Sequence, residues 1–206
     1  MLEHKQEHFY NIGVSYKKAD ANTRGKFSLT KENQIALLKL SKKRGFKGVF
    51  IISTCNRTEI SGFAERPCKL IELLCEFSEG TIEEFAKVSN VYKNQEAIHQ
   101  LFRIGTGLES QILGDYEIVG QLRQAFKLAK SLKTTNAYSE RLINSVLQAS
   151  KRVKNETKLS SGTTSVSYAA VQYIIKNLSD YNSKNILVFG LGKMGKHTCK
   201  NLAEYT

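Results

Sequence analysis

One cysteine stands inside a run of polar residues: Ser53, Thr54, Cys55, Asn56, Arg57, Thr58 and Glu59. An apolar stretch, Val49-Phe50-Ile51-Ile52, leads into it. A thiol at the end of a buried strand, beside a hydroxyl, an amide and a guanidinium, is a polar concentration that packing does not require. Arg57 supplies a permanent positive charge, which favours thiolate over thiol. A thiolate is an effective attacker on an ester carbonyl. The bland alternative is a strand-end cysteine with turn-forming neighbours. The other cysteines are Cys68, Cys75 and Cys199. Their spacings form no C-x-x-C pair, which argues against a zinc site or a redox dithiol, and in a reducing cytosol all four should be free thiols.

The second chemical signal is Gly190-Leu191-Gly192-Lys193-Met194-Gly195. A strand over 185–189 runs into this G-x-G-x-x-G, and a helix follows. Glycines at these positions let backbone approach a pyrophosphate at a helix N-terminus. The alternative is a glycine loop that serves only tight packing. The acidic residue that would bind the ribose, about 20 positions on, falls beyond Thr206, so NAD and NADP are not separated by sequence.

Hydrophobic periodicity lays out the secondary structure around these groups. Phe9 to Tyr16 alternates as a first strand. Ser28 or Thr30 caps a helix with Ile35, Leu38 and Ser41 on one face. The apolar run at 49–52 fits a strand buried on both faces, and Arg57 to Ala64 alternates and pairs back as a hairpin. Pro67, the sole proline, suits the first turn of a helix carrying Leu70, Leu73, Leu74 and Phe77. A short helix after Gly80 leads to a last strand at 88–92. The order β-α-β-β-α-β predicts an α+β fold with a ferredoxin-like sandwich over residues 8–93.

From residue 94 onward the pattern turns helical. Ile118, Leu122, Ala125, Phe126, Ala129 and Leu132 recur at helical spacing, as do Leu142, Ile143, Val146, Leu147, Ser150 and Val153. Their polar faces carry Arg123, Lys127, Lys130, Lys133, Arg141, Lys151, Arg152, Lys154 and Lys158 against Glu117, Glu140 and Glu156. The chain's net charge of +12 concentrates there, which suits either a solvated surface or a polyanionic partner held by counterion release. A Ser/Gly/Thr-rich break at 160–164 precedes another helix opened by Ser165 or Ser167. The expected division is therefore a catalytic and substrate domain at 1–160, with helices at 94–160, and a connecting helix plus the first strand, loop and helix of a Rossmann domain at 161–206. No apolar stretch approaches the roughly 20 residues of a membrane span and no signal peptide opens the chain, so a cytoplasmic protein is expected.

The segment STCNRTE at 53–59 resembles the active-site signature of the glutamyl-tRNA reductases. IGVSYKKAD with Arg24, GLESQILGDYEIVGQLRQAF from Gly107, RVKNET at 152–157, SVSYAAV at 165–171 and ILVFGLGKMG at 186–195 are similar to the same family, in the same order. The resemblance implies that Cys55 attacks the glutamyl ester of glutamyl-tRNA, tRNA leaves, and NADPH reduces the thioester to glutamate-1-semialdehyde, the first step of tetrapyrrole (porphyrin) synthesis. It implies substrate recognition by Thr54, Asn56, Arg57, Ser110, Asp115, Tyr116, Glu117 and Gln121, and cofactor binding by residues 190–195, from Gly190 to Gly195. It places tRNA on the basic helices. It also implies a homodimer formed through a later helix, and glutamate-1-semialdehyde aminomutase as a further partner; no membrane is involved. Because the sequence stops at Thr206, this chain is expected to carry only the acyl-transfer half.

Two departures from the family pattern stand out. Asp115-Tyr116-Glu117 occupies the place of a usual Glu-Pro-Gln. The family's active-site His directly precedes a Leu-x-Arg stretch, where this chain has Gln100, with His99 one place earlier. One residue on a helix is a turn of about 100°, so both His99 and Gln100 enter as candidates. Two other classes compete. An RNA-recognition module without chemistry would suit the charge, but its K/R-G-F/Y aromatic pattern is missing. Another NAD(P) dehydrogenase would rest on GLGKMG alone and leave the cysteine run unexplained.

Overall fold

The computed structural model describes residues 6–157, 159 and 166–204. Eight elements build the first part: β1 (His8–Ser15), α1 (Ala21–Lys26), α2 (Lys31–Lys43), β2 (Lys47–Ser53), β3 (Arg57–Ala64), α3 (Pro67–Cys75), α4 (Ile82–Val88) and β4 (Ser89–Lys93). Three long helices follow: α5 (Gln95–Gly105), α6 (Glu117–Ser131) and α7 (Ala137–Glu156). Last come α8 (Val166–Asn177), a 3₁₀ turn (Tyr181–Ser183) and α9 (Lys193–Ala203).

The four strands form one sheet in the order β2-β3-β1-β4, with every neighbouring pair antiparallel. The register sets Gly13 opposite Glu59, Asn11 opposite Ser61 and Ser15 opposite Arg57. Paired residues share a face, so β1 and β3 carry a polar stripe inside the sheet. Val49 to Ile52 are all buried, as a strand covered on both faces requires. On one face Phe50 meets Phe126 of α6, and Phe9 and Phe63 meet Tyr138 of α7. On the other, α2 and α3 bring Leu37, Leu38, Leu70, Leu73 and Leu74 into the core. Each fully buried side chain of this size contributes about 1.5–3 kcal/mol of transfer free energy.

Local chemistry explains the ends. The Thr30 hydroxyl accepts from the Asn33 amide and starts α2. Pro67 opens α3, where its missing N–H costs nothing. Thr81 and Glu84 form a reciprocal capping box on α4. Helix α1, capped by Asp20, is an element that periodicity missed, because six residues give too short a window.

The strand expected over 185–189 does not form. Residues 185–190 have no ladder partner among the described residues, and Leu187 and Phe189 are 91% and 101% exposed. An apolar run becomes a strand only where neighbours supply hydrogen bonds. The helix after it does form, and α8 and α9 pack together through Val171 and Leu202, with Ser167 donating to the Met194 carbonyl at 3.3 Å. Neither Val171 nor Leu202 belongs to the main core. The 160–164 break, Ser165 and Lys158 lie outside the described residues.

Candidate active site

The β2–β3 hairpin carries the cysteine at its tip. The Thr54 amide donates to the Arg57 carbonyl at 2.8 Å and closes the turn. The Thr54 hydroxyl oxygen accepts from the amides of Asn56 and Arg57, both at 3.2 Å. Thr54 thus shapes the turn by the local side-chain-to-backbone bonding that Thr favours. Two neighbours then fix the loop from outside. Arg24 Nε donates to the Cys55 carbonyl at 3.2 Å, while Nη1 donates to the Ala19 carbonyl at 2.6 Å. The Tyr16 amide donates to the Asn56 carbonyl at 2.9 Å. The Cys55 thiol itself is exposed, on a cavity of about 290 Å³ that Arg24, Ser28, Ser53 and Thr54 also line. Cys68 and Cys199 are exposed as well, but they stand within helices α3 and α9 rather than at a hairpin tip.

Arg57 points beneath the hairpin. It is 2% exposed, pairs with Glu59 at 3.0 Å and donates through Nη2 to the Glu109 carbonyl. Burial pushes the Glu59 carboxyl above its ordinary range, against the pull of Arg57. Gly13, opposite Glu59, has no Cβ because one would meet the Glu59 side chain at 2.5 Å. Arg57 is therefore matched within the protein, and Arg24 is the cation that touches the Cys55 backbone.

The second substrate segment wraps into a closed loop. Gly107 and Gly114 adopt positive φ, and the Gly114 amide donates to the Gly107 carbonyl at 3.1 Å. Ser110 lies on this loop, and the Tyr16 hydroxyl donates to its carbonyl at 3.0 Å. Asp115 accepts from the Glu117 amide at 3.0 Å at the start of α6, and the Tyr116 ring lies 4.4 Å under Lys154. Gln121 joins Thr54 on a smaller cavity of about 180 Å³ with Lys31 and Gln34. His99 and Gln100 line neither the cysteine cavity nor this one. Both border a cavity of about 590 Å³ with Lys17, Tyr92, Arg103 and Glu109; His99 is exposed, and Gln100 is buried.

Glu109 is the residue that sequence reasoning missed. Its carboxylate is 8% exposed and meets Lys17 at 2.6 Å and Arg103 at 2.7 Å. Burial works to raise its pKa, but these two cations prevail and hold it below the usual range. The only available signal was its place beside Ser110.

At the far end, Gly190 has φ of 107°, and Gly192 caps α9. A Cβ on Gly195 would lie 1.9 Å from the Gly190 carbonyl. Gly190 and Gly195 thus stand where a side chain would be strained or would clash, whereas Gly192 meets nothing within 4 Å. A glycine loop before a helix N-terminus is the kind of backbone that fits a dinucleotide pyrophosphate. Among the described residues no cluster of His, Cys, Asp and Glu could hold a metal ion, and no helix is long and apolar enough to cross a membrane.

The basic side chains Arg123, Lys127, Lys130, Lys133, Arg141, Lys151, Arg152 and Lys154 are exposed on α6, α7 and the turn between them. Both faces of the sheet are covered by helices, so the sheet offers no open aromatic platform of the RNA-recognition kind among the described residues.

Comparison with known proteins agrees with this frame. The family model described as glutamyl-tRNAGlu reductase, N-terminal domain, matches residues 12–157. Glutamyl-tRNA reductase of Christiangramia forsetii is 58% identical over 200 residues, covering 97% of this chain and 48% of that protein. Glutamyl-tRNA reductase of Bacillus subtilis is 33% identical, covering 95% and 44%. The solved structure of glutamyl-tRNA reductase from Methanopyrus kandleri superposes with a TM-score of 0.68 at 27% identity, over 95% of this chain and 46% of that one. The chain spans about half the length of the curated relatives it matches.

Proposed function

The chain belongs to the glutamyl-tRNA reductase family, and from that premise we propose that Cys55 takes the glutamyl group from glutamyl-tRNA. The observation that carries this reading is the exposed thiol at the tip of a hairpin whose backbone is fixed by Thr54, Tyr16 and Arg24. The Cys55 thiolate attacks the α-carbonyl carbon, the bond to the ribose oxygen breaks, and tRNA leaves with a proton while a thioester remains. A rigid hairpin limits the motion of the sulfur and so favours attack geometry. In this reading Asn56 on the hairpin, Ser110, Gln121 and the 115–117 segment would orient the substrate, and Arg57 braces the hairpin from beneath.

NADPH bound at residues 190–195 would supply the hydride that reduces the thioester to glutamate-1-semialdehyde. The proposed reaction is the first step of tetrapyrrole synthesis, in the cytoplasm. We assign residues 1–160 to the acyl-transfer unit, with a ferredoxin-like sandwich at 8–93, and residues 161–206 to a connecting helix and part of the cofactor domain. The basic faces of α6 and α7 receive tRNA. A homodimer and an aminomutase that takes up the semialdehyde complete the scheme.

The test is Cys55→Ser. It keeps the shape and removes the easily ionised sulfur, whose ordinary pKa is about 8.5. With glutamate-labelled tRNA, label should bind the native protein and not the variant, at equal melting temperature. Label transfer to the serine variant would remove Cys55 from the mechanism.

A further inference from the structure

We infer that Glu109 is a positioning residue that holds the Ser110 loop against the cysteine hairpin; this rests on the acyl-transfer reading above. Four chain segments meet at this one residue. Its carboxylate takes Lys17 from the β1–α1 connection and Arg103 from α5, at 2.6 and 2.7 Å. Its amide donates to the Arg103 carbonyl at 3.2 Å. Its carbonyl accepts from Arg57, the first residue of β3. The next residue, Ser110, is tied through its own carbonyl to Tyr16, whose amide holds the Asn56 carbonyl beside Cys55. The ring closes through Tyr16, Asn56, Arg57, Glu109 and Ser110, so displacement of Glu109 moves both sides of the substrate space.

Chemistry explains why a glutamate suits this place. Lys17 and Arg103 are about half exposed, while the carboxylate between them is nearly buried. Two charge-assisted contacts on separate oxygens fix a carboxylate in rotation as well as position. A glutamine of the same length keeps the main-chain contacts but offers one oxygen and one NH₂, and the NH₂ would face a cation. An aspartate keeps the charge but falls one methylene short of meeting both partners. Glu109 does not line the Cys55 cavity, so it acts on the reaction through Arg57 and Ser110.

The experiment compares native chain, Glu109→Gln and Glu109→Asp. Transfer of labelled glutamate from glutamyl-tRNA to protein is followed as kcat and KM, beside melting temperature and the alkylation rate of Cys55 by iodoacetamide. We expect kcat/KM to fall about 10- to 100-fold in Glu109→Gln, the range of a misplaced reactive group. Glu109→Asp should recover part of the loss. Alkylation, which needs no bound substrate, should stay within about twofold, as expected when only positioning is lost. Unchanged kcat/KM in Glu109→Gln overturns the inference. So does a parallel loss of transfer, alkylation and melting temperature that aspartate fails to repair, because that pattern marks a purely structural role. A native chain that takes no label rejects the acyl-transfer reading itself, and with it this inference, whatever the variants do.

Discussion

Tyr16 donates its phenolic hydrogen to the backbone carbonyl of Ser110 at 3.0 Å, across the gap between the end of β1 and the loop before α6. Its amide donates to Asn56 at 2.9 Å. One residue thus touches both segments that frame the substrate space. Tyr16→Phe removes only the first bond and leaves the Ser110 carbonyl to find water. Its stability cost should be about 1 kcal/mol, read from urea unfolding. Glutamyl transfer should slow by up to about 10-fold, since a small misplacement is felt in attack geometry. Full activity in Tyr16→Phe would show that the Ser110 loop keeps its place without the phenol.

The four thiols should react in a definite order. Cys75 is half-buried, and burial, helped by Glu83, pushes its pKa up to about 11. At neutral pH it is almost entirely protonated and a poor nucleophile. Cys55, Cys68 and Cys199 are all exposed, so access alone does not rank them. The fixed hairpin, which holds the sulfur on an open cavity, favours Cys55. Iodoacetamide at neutral pH, followed by peptide mass spectrometry, should label Cys55 first and Cys75 last. Equal labelling of Cys55, Cys68 and Cys199 would deny the hairpin any activating effect.

Sequence reached the hairpin because local signals sufficed. Val49 to Ile52 is apolar without interruption, Thr30 and Pro67 mark helix starts, and STCNRTE stands at a strand end. It missed Glu109, whose role depends on Lys17, Arg57 and Arg103 arriving from three other segments. No local period encodes that meeting. It also read Arg57 as a charge beside the thiol, whereas the register with Ser15 and Gly13–Glu59 sends Arg57 into the sheet's buried polar stripe. The 185–189 run failed for the opposite reason. Its residues favour a strand, but a strand needs neighbours, and none pair with it among the described residues.

The Glu109 contacts should leave a trace in the acid limb of stability. Lys17 and Arg103 overcome the effect of burial and hold its carboxyl below the ordinary 4.5. A depressed folded pKa means stability that is fully present above the unfolded value and is lost as pH falls through the folded one. The gap in melting temperature between native chain and Glu109→Gln should therefore be constant above pH of about 4.5 and shrink below it. Glu59, whose carboxyl burial raises, has the opposite sign; the Glu109 charge is the smallest of the causes acting on it, so Glu59 offsets this difference only in part. A gap that widens on acidification would contradict the ion-pair assignment.

The basic face offers a salt test, and the structure adds a control. Lys151, Arg152 and Lys154 are exposed near the end of α7. Arg152 pairs with Glu156 at 3.1 and 3.2 Å, and Lys154 lies over the Tyr116 ring. Exposed i,i+4 pairs are worth about 0.3–0.5 kcal/mol, so a phosphate can displace Glu156 readily. Replacing Lys151, Arg152 and Lys154 by glutamine should lower the slope of log affinity against log salt. The drop is about 0.9 for each duplex phosphate no longer neutralised, or about 0.7 on a single strand. Glu156→Gln should act the other way, strengthening tRNA binding by freeing Arg152 and removing a repelling carboxylate. Fluorescence anisotropy with labelled tRNA over a salt series reads both effects. An unchanged slope in the triple variant, together with no gain in Glu156→Gln, would mean that this face of α7 meets protein rather than tRNA.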